Sequence, residues 1–287
     1  MAVMSLASKC ETVQPDCDMA SPVGTGPLLT RGTGSERLRP MFPIRDHNPS
    51  GQTPYVTIAL IAINILVFLG YFTSLSEWQL NNFFMTWGLV PARFTAGQGY
   101  ETLITSMFLH GGWMHLGGNM LFLWIFGDNL EEEMGHLGFL VFYLACGAAA
   151  GLGQVLPDPG SPMPMVGASG AIAGVMGGYL LLFPKARVDV LFIFVIFFRI
   201  FAIPAWVVLG IWLGIQIFSG VATPSEAGGV AYWAHVGGFV AGLVFTLPAW
   251  LRRGAGGYWQ ATEGHPPHPG TQFEASRSNI PLVRRRR

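Results

Sequence analysis

Three groups of polar residues interrupt otherwise apolar stretches of this sequence. Ser169 lies in Gly-Ala-Ser-Gly, His235 lies in Ala-His-Val-Gly-Gly, and His115 precedes Asn119 by four residues. If these stretches span a membrane, such residues are costly to bury and by default mark a functional site. A serine beside a histidine is a candidate nucleophile with its base, and donors such as His115 and Asn119 can hold a developing oxyanion. The three groups together indicate acyl-transfer chemistry.

The composition indicates a protein embedded in the lipid bilayer. Hydrophobic residues make up 51% of the 287 residues, whereas Asp, Glu, Lys and Arg together make up 11%, against about 25% in soluble domains. The formal net charge of zero gives no indication of a nucleic-acid partner. The three cysteines have no spacing typical of a metal site or a disulfide framework, so no metal is predicted.

The hydrophobic pattern predicts an all-α polytopic membrane protein with six transmembrane helices. Crossing about 30 Å of hydrocarbon takes roughly 20 helical residues. The six predicted spans cover residues 55–72, 113–126, 137–156, 167–183, 203–219 and 233–251. Residues 188–201 are also apolar, but Arg199 interrupts them and Pro204 follows, so this piece is predicted to be an interfacial segment.

The two ends of the chain differ from this apolar block. Residues 1–53 and 252–287 are rich in small and polar residues and in proline, and both are predicted to be mostly disordered. The transmembrane domain is therefore predicted to cover residues 54–251. No apolar stretch close to the start is typical of a cleaved signal peptide.

The basic residues predict that both termini are cytoplasmic. With that orientation the outer loops contain a single basic residue, Arg93, as the positive-inside rule requires. The inner side then holds Arg37, Arg39, Arg45, Lys185, Arg187, Arg199, Arg252 and Arg253. The acidic run Glu131–Glu133 is interpreted as a solvated face, and His110 as a loop residue.

The predicted spans place the three polar groups near one face of the membrane. They lie near the starts of spans two, four and six, which run in the same direction. Ser169 and His235 each precede about 21–22 Å of helix, so both are expected roughly 8 Å below the outer edge of the hydrocarbon core. A serine and a histidine at one depth on parallel helices are able to meet.

The residues around Ser169 predict a helix start at the nucleophile. Pro162 and Pro164 precede it, so the helix cannot begin much earlier than Val166 or Gly167. The first N–H groups of a helix have no intrahelical partner. The N–H groups of Ser169 and Ala168 are therefore candidate oxyanion donors.

Glycines recur every four residues after both candidate catalytic residues. This spacing lets two helices approach closely, and it predicts that spans four and six pack together. The glycines concerned are Gly170, Gly174 and Gly178 in one span and Gly238 and Gly242 in the other.

His-Leu-Gly-Gly-Asn at 115–119, Gly-Ala-Ser-Gly at 167–170 and Ala-His-Val-Gly-Gly at 234–238 together resemble the signature set of the rhomboid protease family. The resemblance covers roughly residues 54–250. It implies a six-helix bundle, a Ser–His dyad without an acidic third member, and no metal or cofactor. It also implies cleavage of the transmembrane segments of other membrane proteins near the outer face.

Carried over by position, the resemblance implies a role for each residue. Ser169 would attack and His235 would take its proton, while His115, Asn119 and the Ser169 N–H would hold the oxyanion. The first loop, residues 88–112, would lie partly in the outer leaflet. Residues 220–232 would cap the site as a mobile gate.

The sequence departs from the family pattern at two places. Some members have a tyrosine four residues after the serine, stacked on the histidine, where this chain has Ala173. Some have a Trp-Arg pair in the first loop, where this chain has Pro-Ala-Arg-Phe at 91–94. These changes leave open what orients His235 and what anchors the first loop.

Other interpretations of the same residues stay open. Ser169 could serve only helix packing, and His235 or His115 could be a proton relay. A small transporter would also have six spans, although it would place polar residues through the full depth. A relative that binds membrane proteins without cutting them is a further alternative. The expected location is a prokaryotic plasma membrane.

Overall fold

The computed structural model describes residues 41–46, 50–194, 197–223 and 229–266, all within one compact unit, residues 39–287. The helices of the described part are α1 (Tyr55–Phe72), α2 (Glu77–Trp87), α3 (Pro91–Thr95), α4 (Thr102–Thr105), α5 (Trp113–Met134), α6 (His136–Val155), α7 (Ser169–Leu182), α8 (Ala205–Ala222), α9 (Tyr232–Arg252) and α10 (Gly256–Thr262). The strands are β1 (Met41–Asp46), β2 (Arg187–Phe194) and β3 (Phe197–Pro204), and a 3₁₀ turn covers Ser106–Phe108.

Each of the six predicted spans coincides with one helix, so the prediction of a helical polytopic membrane protein is confirmed. Helices α1, α6, α8 and α9 are long and apolar enough to cross a membrane. Helix α7 is apolar but has only 14 residues. Helix α5 continues eight residues past the predicted end at 126, through the acidic run. The count of six membrane crossings stays a prediction.

The connection between α7 and α8 is a β-hairpin. Strands β2 and β3 pair antiparallel over their whole length, from Arg187 opposite Pro204 to Phe194 opposite Phe197. Strand β1 adds antiparallel to the free edge of β2. The apolar, β-branched and aromatic residues of this stretch suit a strand as well as an interfacial helix. The interfacial position of this segment stays a prediction.

Two elements fall in the segments predicted to be disordered. Strand β1 lies inside residues 1–53 and is ordered by pairing with β2, about 145 residues away. The residues of β1 alone give no indication of this pairing. Helix α10 lies inside residues 252–287, where Trp259 Nε1 donates to the Leu181 carbonyl at 2.9 Å. The rest of the predicted leader up to residue 40, and the tail from residue 267, lie outside the described residues.

Helix α7 lies at the centre of the bundle. Eleven of its fourteen residues are buried, and it packs most extensively against α9 and then α6. Helix α8 is the opposite case, because only three of its eighteen residues are buried. The bundle therefore surrounds α7, while α8 packs against the rest of the bundle along one narrow face.

Glu131 corrects the interpretation of the acidic run as a solvated face. Its side chain is 1% exposed, and its carboxylate accepts hydrogen bonds from the N–H groups of Val56 and Thr57, each at 2.8 Å. These are the second and third residues of α1, whose N-cap residue Pro54 makes no side-chain cap. Glu131 thus caps α1 from another helix, a role that the local sequence of α5 does not reveal.

Arg93 fixes the first loop that the sequence left without an anchor. Its guanidinium donates to the carbonyls of Met85 at 2.6 Å and of Thr86 and Gly88 at 3.0 Å each, at the end of α2. A cation at a helix C-terminus also favours the helix dipole. The loop is tied to the bundle as well, since Leu89 and Met165 exchange backbone hydrogen bonds at 3.0 and 2.8 Å.

Candidate active site

Ser169 and His235 are in direct contact at the starts of two packed helices. The Ser169 Oγ lies 2.8 Å from Nε2 of His235. Ser169 is the first residue of α7 and is partly exposed, whereas His235 lies one turn into α9 and is 8% exposed. A hydroxyl within hydrogen-bond reach of an imidazole has the geometry of a nucleophile and its general base.

His115 faces the same space from the first turn of α5. The backbone N–H of Gly111 donates to its Nδ1 at 3.3 Å. A neutral imidazole has one protonated and one free nitrogen, so Nε2 of His115 carries the proton. A Cβ at Gly167 would lie 2.7 Å from that Nε2 and 3.5 Å from Ser169 Oγ, so both atoms lie within 3.5 Å of one point. His115 therefore offers an N–H donor beside the serine oxygen.

Asn119 lies one turn after His115 on the same helix face. It is 6% exposed, and within the described ranges its Nδ2 has no hydrogen-bond partner. A buried amide without a partner is uncommon, and each case calls for an explanation. A donor that awaits a ligand is one such explanation.

The start of α7 carries the backbone N–H groups that the sequence predicts as oxyanion donors. Ala168 is fully buried and is the last residue before α7, and the N–H groups that open this helix have no intrahelical partner. Gly167, just before it, has φ +132°, a conformation that suits glycine. The helix begins at Ser169, within the predicted limit and two residues after the start of the predicted span at 167, because Gly167 has a non-helical conformation.

The glycines singled out in the sequence lie where α7 and α9 touch. A Cβ on Gly238 would overlap the carbonyl oxygen of Gly170, and one on Gly242 would overlap that of Gly174. A Cβ on Gly178 would lie 2.7 Å from Thr246 Oγ1. This close backbone contact brings the starts of the two helices together, and with them the serine and the histidine.

Gln216 and Trp212 of α8 are site residues that the sequence analysis missed. Gln216 Oε1 lies 2.8 Å from His235 Nδ1, and the Trp212 and His235 rings are 5.6 Å apart between centroids. The available signal was a glutamine inside a span predicted to be apolar. It lies on a different span from the three motifs.

His110 is a loop residue as predicted, but it is fully buried. Its ring centroid lies 5.1 Å from that of His115. Burial, together with the nearby His115, lowers the pKa of His110 to about 3. His110 is therefore neutral near pH 7 and adds no charge beside the His115 donor.

A cavity of about 100 Å³ opens beside the start of α9. Its lining includes Gln154, Thr223 and Tyr232, but neither Ser169 nor His235. Residues 224–228 of the predicted gate lie outside the described residues. Within the described ranges, no group of three His, Cys, Asp or Glu side chains is arranged to hold a metal ion.

The fold and the site define a polytopic helical membrane protein with a Ser–His pair near one end of the bundle. Comparison with known protein families identifies the family, since the sequence model of the Rhomboid domain matches residues 97–252. This match covers more than half of the chain, and the chain belongs to the rhomboid family. The resemblance seen in the three motifs is confirmed at the level of the family.

Individual relatives come from bacteria and from organelles. The chain is 31% identical to the mitochondrial Rhomboid protein 1 of Saccharomyces cerevisiae over 197 residues, which are 65% of this chain and 51% of that protein. It is 34% identical to the rhomboid protease GluP of Bacillus subtilis over 128 residues, 44% of this chain and 24% of GluP. The chain spans about half or less of the length of these relatives. Their varied origins leave a prokaryotic plasma membrane as a prediction.

Proposed function

We propose that this chain is an intramembrane serine endopeptidase that hydrolyses peptide bonds in or near the transmembrane segments of other membrane proteins. The observation that carries the proposal is the 2.8 Å separation of Ser169 Oγ and His235 Nε2. Membership of the rhomboid family supports it, as does the similarity to a relative named a rhomboid protease.

The first proposed step forms the acyl-enzyme. Ser169 Oγ attacks the carbonyl carbon of the scissile bond, and its proton moves to His235 Nε2. The negative charge that develops on the carbonyl oxygen is stabilised by hydrogen-bond donors around it. The proposed donors are His115 Nε2–H, Asn119 Nδ2–H and the backbone N–H groups of Ser169 and Ala168.

The second proposed step releases the product and restores the enzyme. The tetrahedral intermediate collapses, the C–N bond breaks, and the leaving amine takes the proton from His235. Water then attacks the acyl-enzyme carbonyl while His235 accepts a proton from that water. Ser169 is partly exposed, which supports access for both the peptide and the water.

We place this reaction near the outer face of the membrane, with both termini cytoplasmic and the catalytic domain at residues 54–251. The basic residues of the loops support this orientation. The substrates are transmembrane proteins whose helix unwinds easily near the outer face, because a helical peptide bond is shielded from attack by its own turns. The surrounding lipid is the other expected partner.

The proposal is tested by cleavage of a tagged single-span reporter with the purified protein in detergent. Wild type is compared with Ser169→Ala, with His235→Ala and with Ser74→Ala, a matched control at an exposed serine far along the chain. We expect wild type and Ser74→Ala to cut the reporter near the outer end of its span, and both site variants to be inactive.

Two results would contradict the proposal. Equal cutting by all four proteins would mean that a contaminating protease acts on the reporter. Copurification of several uncut reporters with the wild-type protein would instead indicate a rhomboid-family protein that binds membrane proteins without hydrolysing them.

A further inference from the structure

The second ring nitrogen of His235 has a hydrogen-bond partner of its own. Nδ1 lies 2.8 Å from Oε1 of Gln216, while Nε2 lies 2.8 Å from Ser169 Oγ. To accept the serine proton, Nε2 must be free, and the single proton of the neutral ring is then on Nδ1. A proton on Nδ1 needs an acceptor, and the Gln216 carbonyl oxygen lies where that acceptor is required.

Gln216 is an unusual residue for its surroundings on α8. The neighbouring Ile215 and Ile217 are 48% and 43% exposed on the outer surface of the helix, whereas Gln216 is 1% exposed. The other two buried residues of α8, Ala205 and Leu209, lie in its first two turns. An amide buried in an apolar helix is costly unless it is hydrogen-bonded. In the part of the chain that the structure describes, its Oε1 is hydrogen-bonded to His235.

Trp212 contacts the same imidazole from the same face of α8. It precedes Gln216 by four residues, so the two side chains lie one above the other. The Trp212 and His235 rings are tilted by 36°, with centroids 5.6 Å apart. Residue 173, where some family members have a stacking tyrosine, is a buried alanine here. Helix α8 thus provides both a ring contact and a hydrogen bond to His235.

We propose that Gln216 is a positioning residue for His235, which holds the imidazole as the Nδ1–H tautomer with Nε2 facing Ser169. The inference rests on the proposed function, because it assigns Gln216 a part in the same reaction. Gln216 acts through the histidine, with which its Oε1 is in contact. Its amide has the place that a carboxylate has in a Ser-His-Asp triad.

A glutamine can offer its oxygen or its NH₂ group, so the tautomer is the deciding measurement. Two-bond ¹H–¹⁵N correlation NMR on protein with ¹⁵N-labelled histidine reports which ring nitrogen is protonated, and His235→Ala assigns the signals. We expect Nδ1–H in wild type at neutral pH and a mixture of tautomers in Gln216→Met. A wild-type Nε2–H tautomer, or the same spectrum in both proteins, would overturn the proposal. This readout does not depend on cleavage.

Catalysis provides the second readout, with variants of matched size. Gln216→Met keeps the length of the side chain but has no strong acceptor, and Gln216→Glu keeps an acceptor oxygen at Nδ1. We expect kcat to fall about 10- to 100-fold in Gln216→Met with little change in KM, the loss of a hydrogen bond worth about 1–3 kcal/mol. We expect Gln216→Glu to stay within about tenfold of wild type, and Ile217→Met, on the outer surface of α8, to match wild type.

The two proposals fail in different ways. If Gln216 serves only helix packing, Gln216→Met cleaves like Ile217→Met, and the positioning role is refuted while wild type remains active. If wild type does not cleave but its tautomer still depends on Gln216, the protease assignment fails, and Gln216 still positions the histidine.

Discussion

Replacing Glu131 with alanine tests how the bundle is held together away from the site. The carboxylate accepts four hydrogen bonds, from the N–H groups of Val56 and Thr57, from Thr57 Oγ1 and from His136 Nδ1, at 2.6–2.8 Å. A buried donor left without an acceptor costs about 1–3 kcal/mol, and the buried Thr57 hydroxyl loses this acceptor. The substitution also leaves two N–H groups at the start of α1 without a partner.

We therefore expect Glu131→Ala to lose about 3–5 kcal/mol of unfolding free energy over these three donors. For a bundle of this size that corresponds to a fall in Tm of about 10 °C. The assay is thermal unfolding in detergent, followed by circular dichroism. Glu132 is the matched control, since it is next in sequence and, among the described residues, accepts from the exposed Gly51 N–H alone, at 3.1–3.2 Å. Equal Tm values for Glu131→Ala and Glu132→Ala would refute the capping role.

Three glycine substitutions separate site geometry from packing. Gly167→Ala places a side chain on a backbone with positive φ and against His115 Nε2. We therefore expect reporter cleavage to fall at least about 100-fold, with a much smaller change in Tm. Unchanged cleavage would mean that His115 is not a donor. Gly238→Ala overlaps the Gly170 carbonyl oxygen and should cost about 3 kcal/mol of stability, measured as Tm. Gly210→Ala, with open space around its Cβ, should leave Tm unchanged or slightly higher. If Gly210→Ala lowered Tm as much as Gly238→Ala, the close contact with Gly170 would not be the cause of the lost stability.

The parts of the fold that follow from local pattern were predicted well. Each apolar stretch assigned to a span is a helix, since a run of about 20 apolar residues has few other structures available to it. The juxtaposition of Ser169 and His235 also followed from the sequence. Both begin spans that run in the same direction, and glycines at four-residue spacing let those spans touch.

The parts that depend on distant pairing could not be predicted in the same way. Strand β1 is ordered by β2, and the carboxylate of Glu131 caps a helix 75 residues away. Gln216 contacts His235 of the next helix, 19 residues along the chain. In each case the local residues are compatible with several structures, and only the partner decides between them. Gln216 was visible as a polar residue inside an apolar span, but its direction toward His235 depends on how α8 packs against α9.

The most direct measurement of the central claim is covalent labelling with a fluorophosphonate, which reacts with an activated serine oxygen and releases fluoride. Wild type, Ser169→Ala and His235→Ala are labelled in detergent, and the modified peptide is mapped by mass spectrometry. The dyad assignment predicts a single adduct on Ser169 in wild type and none in either variant. Labelling of His235→Ala at the wild-type rate, or an adduct on another serine, would contradict the assignment of His235 as the base that activates Ser169.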